Sequence, residues 1–382
     1  MRPSLQRLLA PYFFFWARLV LRKHHPCIVG VTGSVGKTTT KEMIAAALMH
    51  RDARPIVGLV WKSAGNMNDL VALPVAVLGL RMHPTSRLRS IPVLCAVPFR
   101  ALALTTFAAY PKILVLEYSI TWRGERGMAQ MAKLAPPTVA VVTAVGPAHL
   151  EFFESVDQIA QAKSALVRAV PPSGLVVLGQ DNCYASNMDR ESRARVVKVR
   201  GRGRELAQNA ARAVGRYFGL SEEVVNQALS ECGAIEGRLN LLELGPVTVI
   251  DDAFSANPMS MRLGLDTLAE RAKPDQRKVA ILGTMAELGA DGPRYHEEIA
   301  AYARERADIV IGVGDLAQHY RPDHWFASTK ECANSLRKLV RRGDCLLVKG
   351  SHSVHLDRVV RELKRIAAEG LAHSTMGHLE GV

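Results

Sequence analysis

An α/β fold in two units, a P-loop doubly wound central domain followed by a smaller Rossmann-like C-terminal domain, is predicted by three features of this 382-residue sequence. From residue 27 onward, short β-branched apolar runs alternate with helical stretches. A glycine-rich segment ending in Lys37 joins the first run to the first helix. After Glu236-Gly237-Arg238 the alternation starts again, as expected of a chain too long for one ordinary domain.

Residues 1–25 form an apolar and basic segment. The run 8–21 is interrupted by Pro11 and Arg18 and is shorter than the roughly 20 residues a spanning helix needs. Arg2, Arg7, Arg18, Arg22 and Lys23 surround it, which suits a helix lying in the headgroup region of an anionic membrane. A helix packed on the body of the protein is the equal alternative. In the central domain, 26–236, strands are predicted at 27–32, 113–118, 138–145 and 175–178, and helices at 38–49 and 156–170. That alternation implies a doubly wound sheet.

The stretch 87–107 is apolar with two prolines and three arginines, and reads as an insertion and not a sheet strand. Burial in the core is its default reading, with a second membrane-contacting surface as the alternative. The C-terminal domain, 237–370, has predicted strands at 248–251, 279–282, 308–313 and 345–348, with helices at 260–271, 296–306 and 354–367. A polar tail, 371–382, closes the chain.

With 48% hydrophobic and 22% charged residues, the composition excludes a disordered chain and a many-span membrane protein. The six cysteines include no C-x-x-C pair, which excludes a zinc knot and a disulfide framework and fits a reducing cytoplasm. Lysine and arginine exceed aspartate and glutamate by 49 − 36 = 13, so the surface field favours anionic partners. No nucleic-acid-binding motif accompanies that charge.

The most specific local signal is Gly30-Val31-Thr32-Gly33-Ser34-Val35-Gly36-Lys37-Thr38-Thr39-Thr40. The strict P-loop pattern fails at Val31, where its first glycine belongs. The remainder keeps the mechanics: Gly33, Ser34, Val35, Gly36, Thr38 and Thr39 offer backbone N–H groups at a helix start, Lys37 reaches terminal phosphates, and Thr38 offers a hydroxyl to magnesium. Glu117 closes an apolar run at the strand edge where α/β sheets bind ligands, and a carboxylate there is seldom a packing choice. His149 follows another such run; alone it reads more readily as a structural group.

This loop variant resembles the Mur ligases of cell-wall synthesis and the folylpolyglutamate synthases. Further segments resemble the MurF type in order: Gly65-Asn66-Met67-Asn68-Asp69 with Pro74, Ala148-His149-Leu150-Glu151, and Ala160-Gln161-Ala162-Lys163. They continue with Asp251-Asp252-Ala253-Phe254-Ser255-Ala256-Asn257-Pro258, Leu282-Gly283-Thr284-Met285-Ala286-Glu287-Leu288-Gly289 and Val348-Lys349-Gly350-Ser351.

The resemblance implies a central ATPase domain and an ATP-dependent carboxylate–amine ligase acting through an acyl phosphate. It would add D-alanyl-D-alanine or a similar amine to a peptidoglycan precursor. ATP and two magnesium ions are the implied cofactors, the first ion on Thr38 and Glu117, the second on His149 and Lys163, the lysine as a carbamate. Lys37 and Arg238 would hold phosphate charge, and Asp252 and Asn257 would contact the nucleotide. Asn66 and Asn68, with Lys349, Ser351 and His352, would face the substrates. The bland readings are a surface arginine for Arg238, a helix-surface lysine for Lys163 and an N-cap for Ser351.

The implied partners are an anionic cell-wall precursor and an amino acid or dipeptide, with no nucleic acid. The expected enzyme is a cytoplasmic monomer with peripheral membrane contact as an option. The pattern departs from the family where 118–123 replaces its Gly-x-Asn-His and where Thr284 replaces an aspartate. Only residues 1–25 precede the central domain, so the family's uridine-diphosphate-gripping N-terminal domain is expected to be missing. Reaction type is therefore better specified than substrate. The alternatives are another Mur-fold ligase, with an amino-acid polymer, lipid-linked or cofactor acceptor, and a non-catalytic ATP-binding subunit.

Overall fold

The computed structural model describes residues 3–65, 67–81, 91–120, 125–245 and 247–376. The chain divides into two compact units, Met1–Gly146 with Phe152–Gly233, and Pro147–Glu151 with Ala234–Val382.

The first unit opens with α1 (Pro3–His24), β1 (Cys27–Thr32), α2 (Lys37–Met49), α3 (Arg54–Val57) and β2 (Val60–Lys62). There follow α4 (Ala72–Val77), α5 (Ile91–Thr106), β3 (Ile113–Glu117), α6 (Glu125–Leu134) and β4 (Val139–Val142). It ends with α7 (Val156–Arg168), β5 (Leu175–Gly179), α8 (Ala185–Glu191), β6 (Arg195–Val199), α9 (Gly203–Tyr217) and α10 (Glu222–Glu231). The strands lie in the order β2-β3-β1-β4-β5-β6, all parallel.

β3, β4 and β5 are buried along their whole length, the signature of a parallel sheet covered on both faces. Met43, Ile44, Ala47 and Leu48 of α2 join Ala207, Ala210, Ala211 and Val214 of α9 in one apolar core. With β3 on one side and β4 on the other, β1 ends where the chain's connections diverge, the edge at which such sheets place ligands.

The doubly wound reading therefore holds, with two strands that apolar runs did not reveal. β2 is three residues long, and β6 carries Arg195 and Lys198 on an edge with only its last residue buried. The described part of the 87–107 insertion is mainly α5, helical through Pro98, while 87–90 lie outside the described residues.

α1 is one helix that continues through Pro11 and buries Phe13, Ala17 and Val20. Tyr12 donates its hydroxyl hydrogen to Leu94 O at 2.7 Å, and a ring nitrogen of His24 meets Leu104 O at 2.8 Å, so α1 and α5 run side by side in parallel. Packing on the body thus accounts for one stripe of α1. Among the described residues, no helix is long and apolar enough to cross a membrane.

The second unit contains β7 (Asn240–Leu244), β8 (Val247–Asp252), α11 (Pro258–Arg271), β9 (Lys278–Gly283), α12 (Gly292–Arg304) and β10 (Ile309–Val313). It continues with β11 (His324–Phe326), α13 (Thr329–Leu339), β12 (Cys345–Lys349) and α14 (Asp357–Met376). Its order is β11-β10-β9-β12-β8-β7, parallel except for β7, which pairs antiparallel with β8. Helix α14 runs to Met376, into the stretch expected to be tail from 371; residues 377–382 lie outside the described residues.

Buried His296 on α12 organises the turn after β9. Met285 N–H donates to its Nε2 at 3.0 Å, so Nδ1 carries the hydrogen and donates to Gly292 O at 2.7 Å. Burial pushes its pKa down to about 4. The folded value lies below the unfolded one, so the unfolded chain binds the proton more tightly. Stability is then full above about pH 6.5 and is lost as pH falls towards 4, roughly 2 kcal/mol by pH 5. In thermal or urea unfolding at pH 7 and pH 5, His296→Gln is expected to remove most of that decline. An identical decline in the variant would assign it to other groups.

Candidate active site

The loop between β1 and α2 is shaped by two glycines. Gly33 has φ +150°, and a Cβ there would lie 1.9 Å from Thr143 Oγ1, so no larger residue fits beside β4's end. Gly36 (φ 81°) caps α2 in the left-handed region and brings no side chain to the first-turn amides. Across the loop, Ser34 N–H donates to Ala144 O at 2.6 Å, its hydroxyl donates to Gly146 O at 3.0 Å, and Thr143 Oγ1 donates to Val35 O at 2.5 Å. Lys37 Nζ donates to Gly33 O at 2.8 Å. Thr39 occupies the first turn of α2.

Beside this loop, Glu117 ends β3 with 1% of its surface exposed. Thr38 Oγ1 donates to Glu117 Oε2 at 3.0 Å, and Asn68 Nδ2 donates to Glu117 Oε1 at 2.8 Å. Both carboxylate oxygens are therefore held, one by the phosphate loop and one by the 63–69 loop. Ser119 N–H donates to Asn68 O at 2.9 Å and fixes the second loop to the chain beyond β3. Asn66, expected to face substrate with Asn68, lies outside the described residues.

Lys163, on α7, is 1% exposed, which overturns the helix-surface reading. Burial pushes its amine well below the ordinary lysine value, and the charge of Lys37 acts in the same direction. Among the described residues, no group of three His, Cys, Asp or Glu side chains gathers to hold a metal by itself. A threonine hydroxyl beside one carboxylate at a phosphate loop does fit magnesium, which takes one or two protein oxygens and fills its shell with phosphate and water.

In the second unit, β8 and β12 pair with Asp252 opposite Lys349. Lys349 Nζ donates to Asp252 Oδ2 at 2.6 Å and to Ser255 O at 2.8 Å. Burial lowers its pKa, with Asp252 opposing the shift and Arg238 adding to it. Leu239 N–H donates to Asp252 Oδ1 at 3.3 Å, and Gly237 N–H donates to Asp251 Oδ2 at 3.1 Å, so the two aspartates brace the turn that carries Arg238.

The Arg238 guanidinium lies 4.3 Å over the Phe254 ring, and exposed His352 stacks on that ring at 5.1 Å. Ser351 accepts from Ala286 N–H at 2.8 Å and makes no N-cap bond. Asn257 accepts from Ser260 N–H at 2.9 Å and caps α11. His149, in the Pro147–Glu151 segment that groups with this unit, has a positive φ and hydrogen-bonds through Nδ1 to Glu287 Oε2.

Two residues of these clusters escaped sequence reasoning. Glu287 stands in the sequence only as one member of the 282–289 motif, and its pairing with His149 joins positions 138 residues apart. Lys41 is fully buried on α2 and donates to Ser63 O at 2.9 Å and Gly65 O at 2.6 Å, with Glu42 Oε1 at 3.0 Å. It anchors the loop that presents Asn68 to Glu117. Its signal was periodicity, because position 41 is in phase with apolar Ile44, Ala45 and Leu48.

Comparison with known proteins places the family. The family model described as the Mur ligase middle domain matches residues 31–226, and that of the Mur ligase, glutamate ligase domain, matches 237–352. The UDP-N-acetylmuramoyl-tripeptide–D-alanyl-D-alanine ligase of Mycobacterium tuberculosis is 32% identical over 405 residues, covering 88% of this chain and 72% of the relative. That of Bacillus subtilis is 26% identical over 391 residues, covering 91% and 78%.

MurF from Acinetobacter baumannii superposes with TM-score 0.75 at 21% identity, over 93% of this chain and 80% of that one. MurF ligase from Thermotoga maritima, solved in complex with ADP, gives 0.75 at 23%, over 94% and 84%. These two structures speak to the fold.

Lys41→Met is expected to leave the Ser63 and Gly65 carbonyls without their donor and to cost about 1–3 kcal/mol. Urea unfolding measures it; an unshifted midpoint would mean that other groups hold the loop.

Proposed function

Because the chain belongs to the Mur ligase family, we propose that it is a MurF-type enzyme joining a carboxylate of an anionic peptidoglycan precursor to D-alanyl-D-alanine or a similar amine. It is an ATP-dependent peptide ligase. The observation that supports the phosphoryl-transfer chemistry is Glu117, held by Thr38 of the phosphate loop and by Asn68 of the neighbouring loop, while the choice of precursor and amine rests on the relatives' activity.

A carboxylate in water lacks a leaving group. Transfer of the γ-phosphoryl of ATP to a carboxylate oxygen supplies one, forming an acyl phosphate and releasing ADP. The amine nitrogen then bonds to the carbonyl carbon, the bond from that carbon to the phosphate oxygen breaks, and inorganic phosphate departs with the electron pair. The nitrogen loses a proton to solvent or base.

In such a reaction the protein's share is positioning and charge stabilisation. The loop amides from Gly33 to Thr39 and the Lys37 ammonium hold the phosphates in line. Thr38 and Glu117 would hold magnesium, which supplies neutralisation of phosphate charge when bound. Asn68 keeps Glu117 oriented, and Lys41 keeps Asn68 in place.

Arg238 is the candidate for further phosphate charge, its guanidinium oriented by Phe254. Asp252 and Asn257 are the family-implied nucleotide contacts, although the Asn257 side chain is also needed to cap α11. Of Lys349, Ser351 and His352, expected to face the substrates, exposed His352 is best suited to meet a carboxylate of the amine, since Lys349 and Ser351 are buried in bonds of their own.

The buried Lys163 amine is driven towards its neutral form, the form that adds carbon dioxide. The neutral amine's lone pair would form a nitrogen–carbon bond as one carbon–oxygen π bond of carbon dioxide opens, one proton would leave the nitrogen, and a carbamate anion would stand where the neutral amine was. By the family resemblance, that carbamate would serve a second ion. Every group invoked comes from one chain, so a monomer suffices, and dependence on ATP suits the cytoplasm.

Lys37→Ala is expected to lower amine-dependent ADP release by roughly a hundredfold or more. Unchanged release would remove Lys37 from the mechanism. Lys163→Ala should lose activity and regain part of it with added formate or acetate; full activity without them would defeat the carbamate. A screen of amino acids and dipeptides, with and without muramoyl-peptide precursor, would identify the substrates by phosphate release coupled to mass gain. Absence of any amide product across that panel would favour a non-catalytic ATP-binding subunit.

A further inference from the structure

Helices α1 and α5 each bury one stripe and expose another. On α1 the exposed positions are Pro11, Phe15, Arg18, Leu19 and Arg22, and on α5 they are Pro92, Cys95, Phe99, Leu102 and Thr106, both at helical spacing. Phe15 is 62% exposed, Phe99 75%, and Phe107, just past α5, 94%. With Leu19 and Leu102 they make five of the twelve exposed large hydrophobic residues among those described, on α1, α5 and the residue after α5. Scattered single exposures would need no explanation, but apolar stripes on two adjoining helices do. The parallel pairing of the helices sets Phe15 and Leu19 at the levels of Phe99 and Leu102, since Tyr12 reaches Leu94 and Lys23 reaches Thr105, each 82 residues on.

Charge singles out the occupant. No aspartate or glutamate occurs between residues 1 and 41 or between 70 and 116, the stretches that contain both helices. Arg18 and Arg22 lie within the exposed stripe of α1, and exposed Lys23 adjoins it. A second copy of this face would set arginine against arginine with no acid from either helix to offset them. A protein partner with a merely apolar patch would leave the same charges uncompensated.

We propose that the α1–α5 face docks on an anionic lipid bilayer, its phenylalanines and leucines entering the boundary between headgroups and acyl chains while Arg18, Arg22 and Lys23 meet lipid phosphates. The helices lie on the surface and do not cross, consistent with the lack of any described helix long and apolar enough to span. The inference does not rest on the catalytic reading, because its readout is partition and not turnover.

The test is cosedimentation of the full chain with vesicles of phosphatidylcholine mixed with phosphatidylglycerol, against phosphatidylcholine alone, at low and high salt. Binding is expected only to the anionic vesicles and should weaken with salt. The variants Phe15→Glu with Phe99→Glu, and Arg18→Glu with Arg22→Glu, should each lower the partition coefficient by about tenfold or more. These side chains are exposed, so the circular dichroism spectrum in lipid-free buffer should match that of the parent protein and certify folding. Leu102→Glu alone serves if the phenylalanine pair melts.

Failure of the parent protein to sediment would overturn the proposal, as would equal sedimentation of parent and variants. So would a lipid-free dimer, seen by light scattering and abolished by the phenylalanine variant, which would assign the face to a second copy.

Discussion

A carboxylate kept out of water needs a partner for each of its oxygens, and at the end of β3 these partners come from two different loops. Thr38 ties Glu117 to the phosphate loop and Asn68 ties it to the 63–69 loop, so neither loop can drift without exposing an unpaired charge. Lys41 extends the constraint by fixing the second loop from beneath through two carbonyls. The sheet supplies the base on which these bonds are made, because β1 and β3 are adjacent and in register, with Val31 opposite Glu117. The glycine-rich loop and the oxygens proposed to hold magnesium are thereby set before any ligand arrives, the preorganisation on which electrostatic catalysis depends.

The second unit solves a similar problem with opposite charges. β8 and β12 end side by side, and the buried Lys349 ammonium lies against Asp252. Gly264 on α11 makes room for the lysine, since a Cβ there would lie 3.0 Å from its Cδ. Asp252 and Asp251 in turn brace the Gly237–Arg238–Leu239 turn through backbone N–H groups. The stacked Arg238, Phe254 and His352 are thus carried on a frame of buried ionic and main-chain bonds, with the aromatic ring as the shared surface.

Much of this was legible in the sequence where one physical demand dominates locally. Central strands had to be continuous apolar runs because both faces of the sheet are covered, and β1, β3, β4 and β5 were read within a few residues. The loop around Gly33 and Lys37 was legible because phosphate binding needs small residues and a cation at a helix start. Edge strands β2, β6 and β7 were not, since they are short or alternate with charge. Pairings across long separations were also hidden: only the β8–β12 register shows that Lys349 is occupied by Asp252, and only the folded chain joins His149 to Glu287. A buried lysine such as Lys41 went unread because lysine is normally solvated.

The side-by-side arrangement of α1 and α5 also bears on the order in which the protein is made. Phe13, Ala17 and Val20 of α1 have their partners on segments synthesised much later, with Tyr12 and Lys23 bonded to carbonyls 82 residues downstream. At a translation rate of about 5–20 residues per second, that helix waits on the order of ten seconds before its partner exists. Throughout that interval both of its stripes, the one destined for the interior as well as the outward one, face the ribosome surface and whatever chaperone attends the nascent chain.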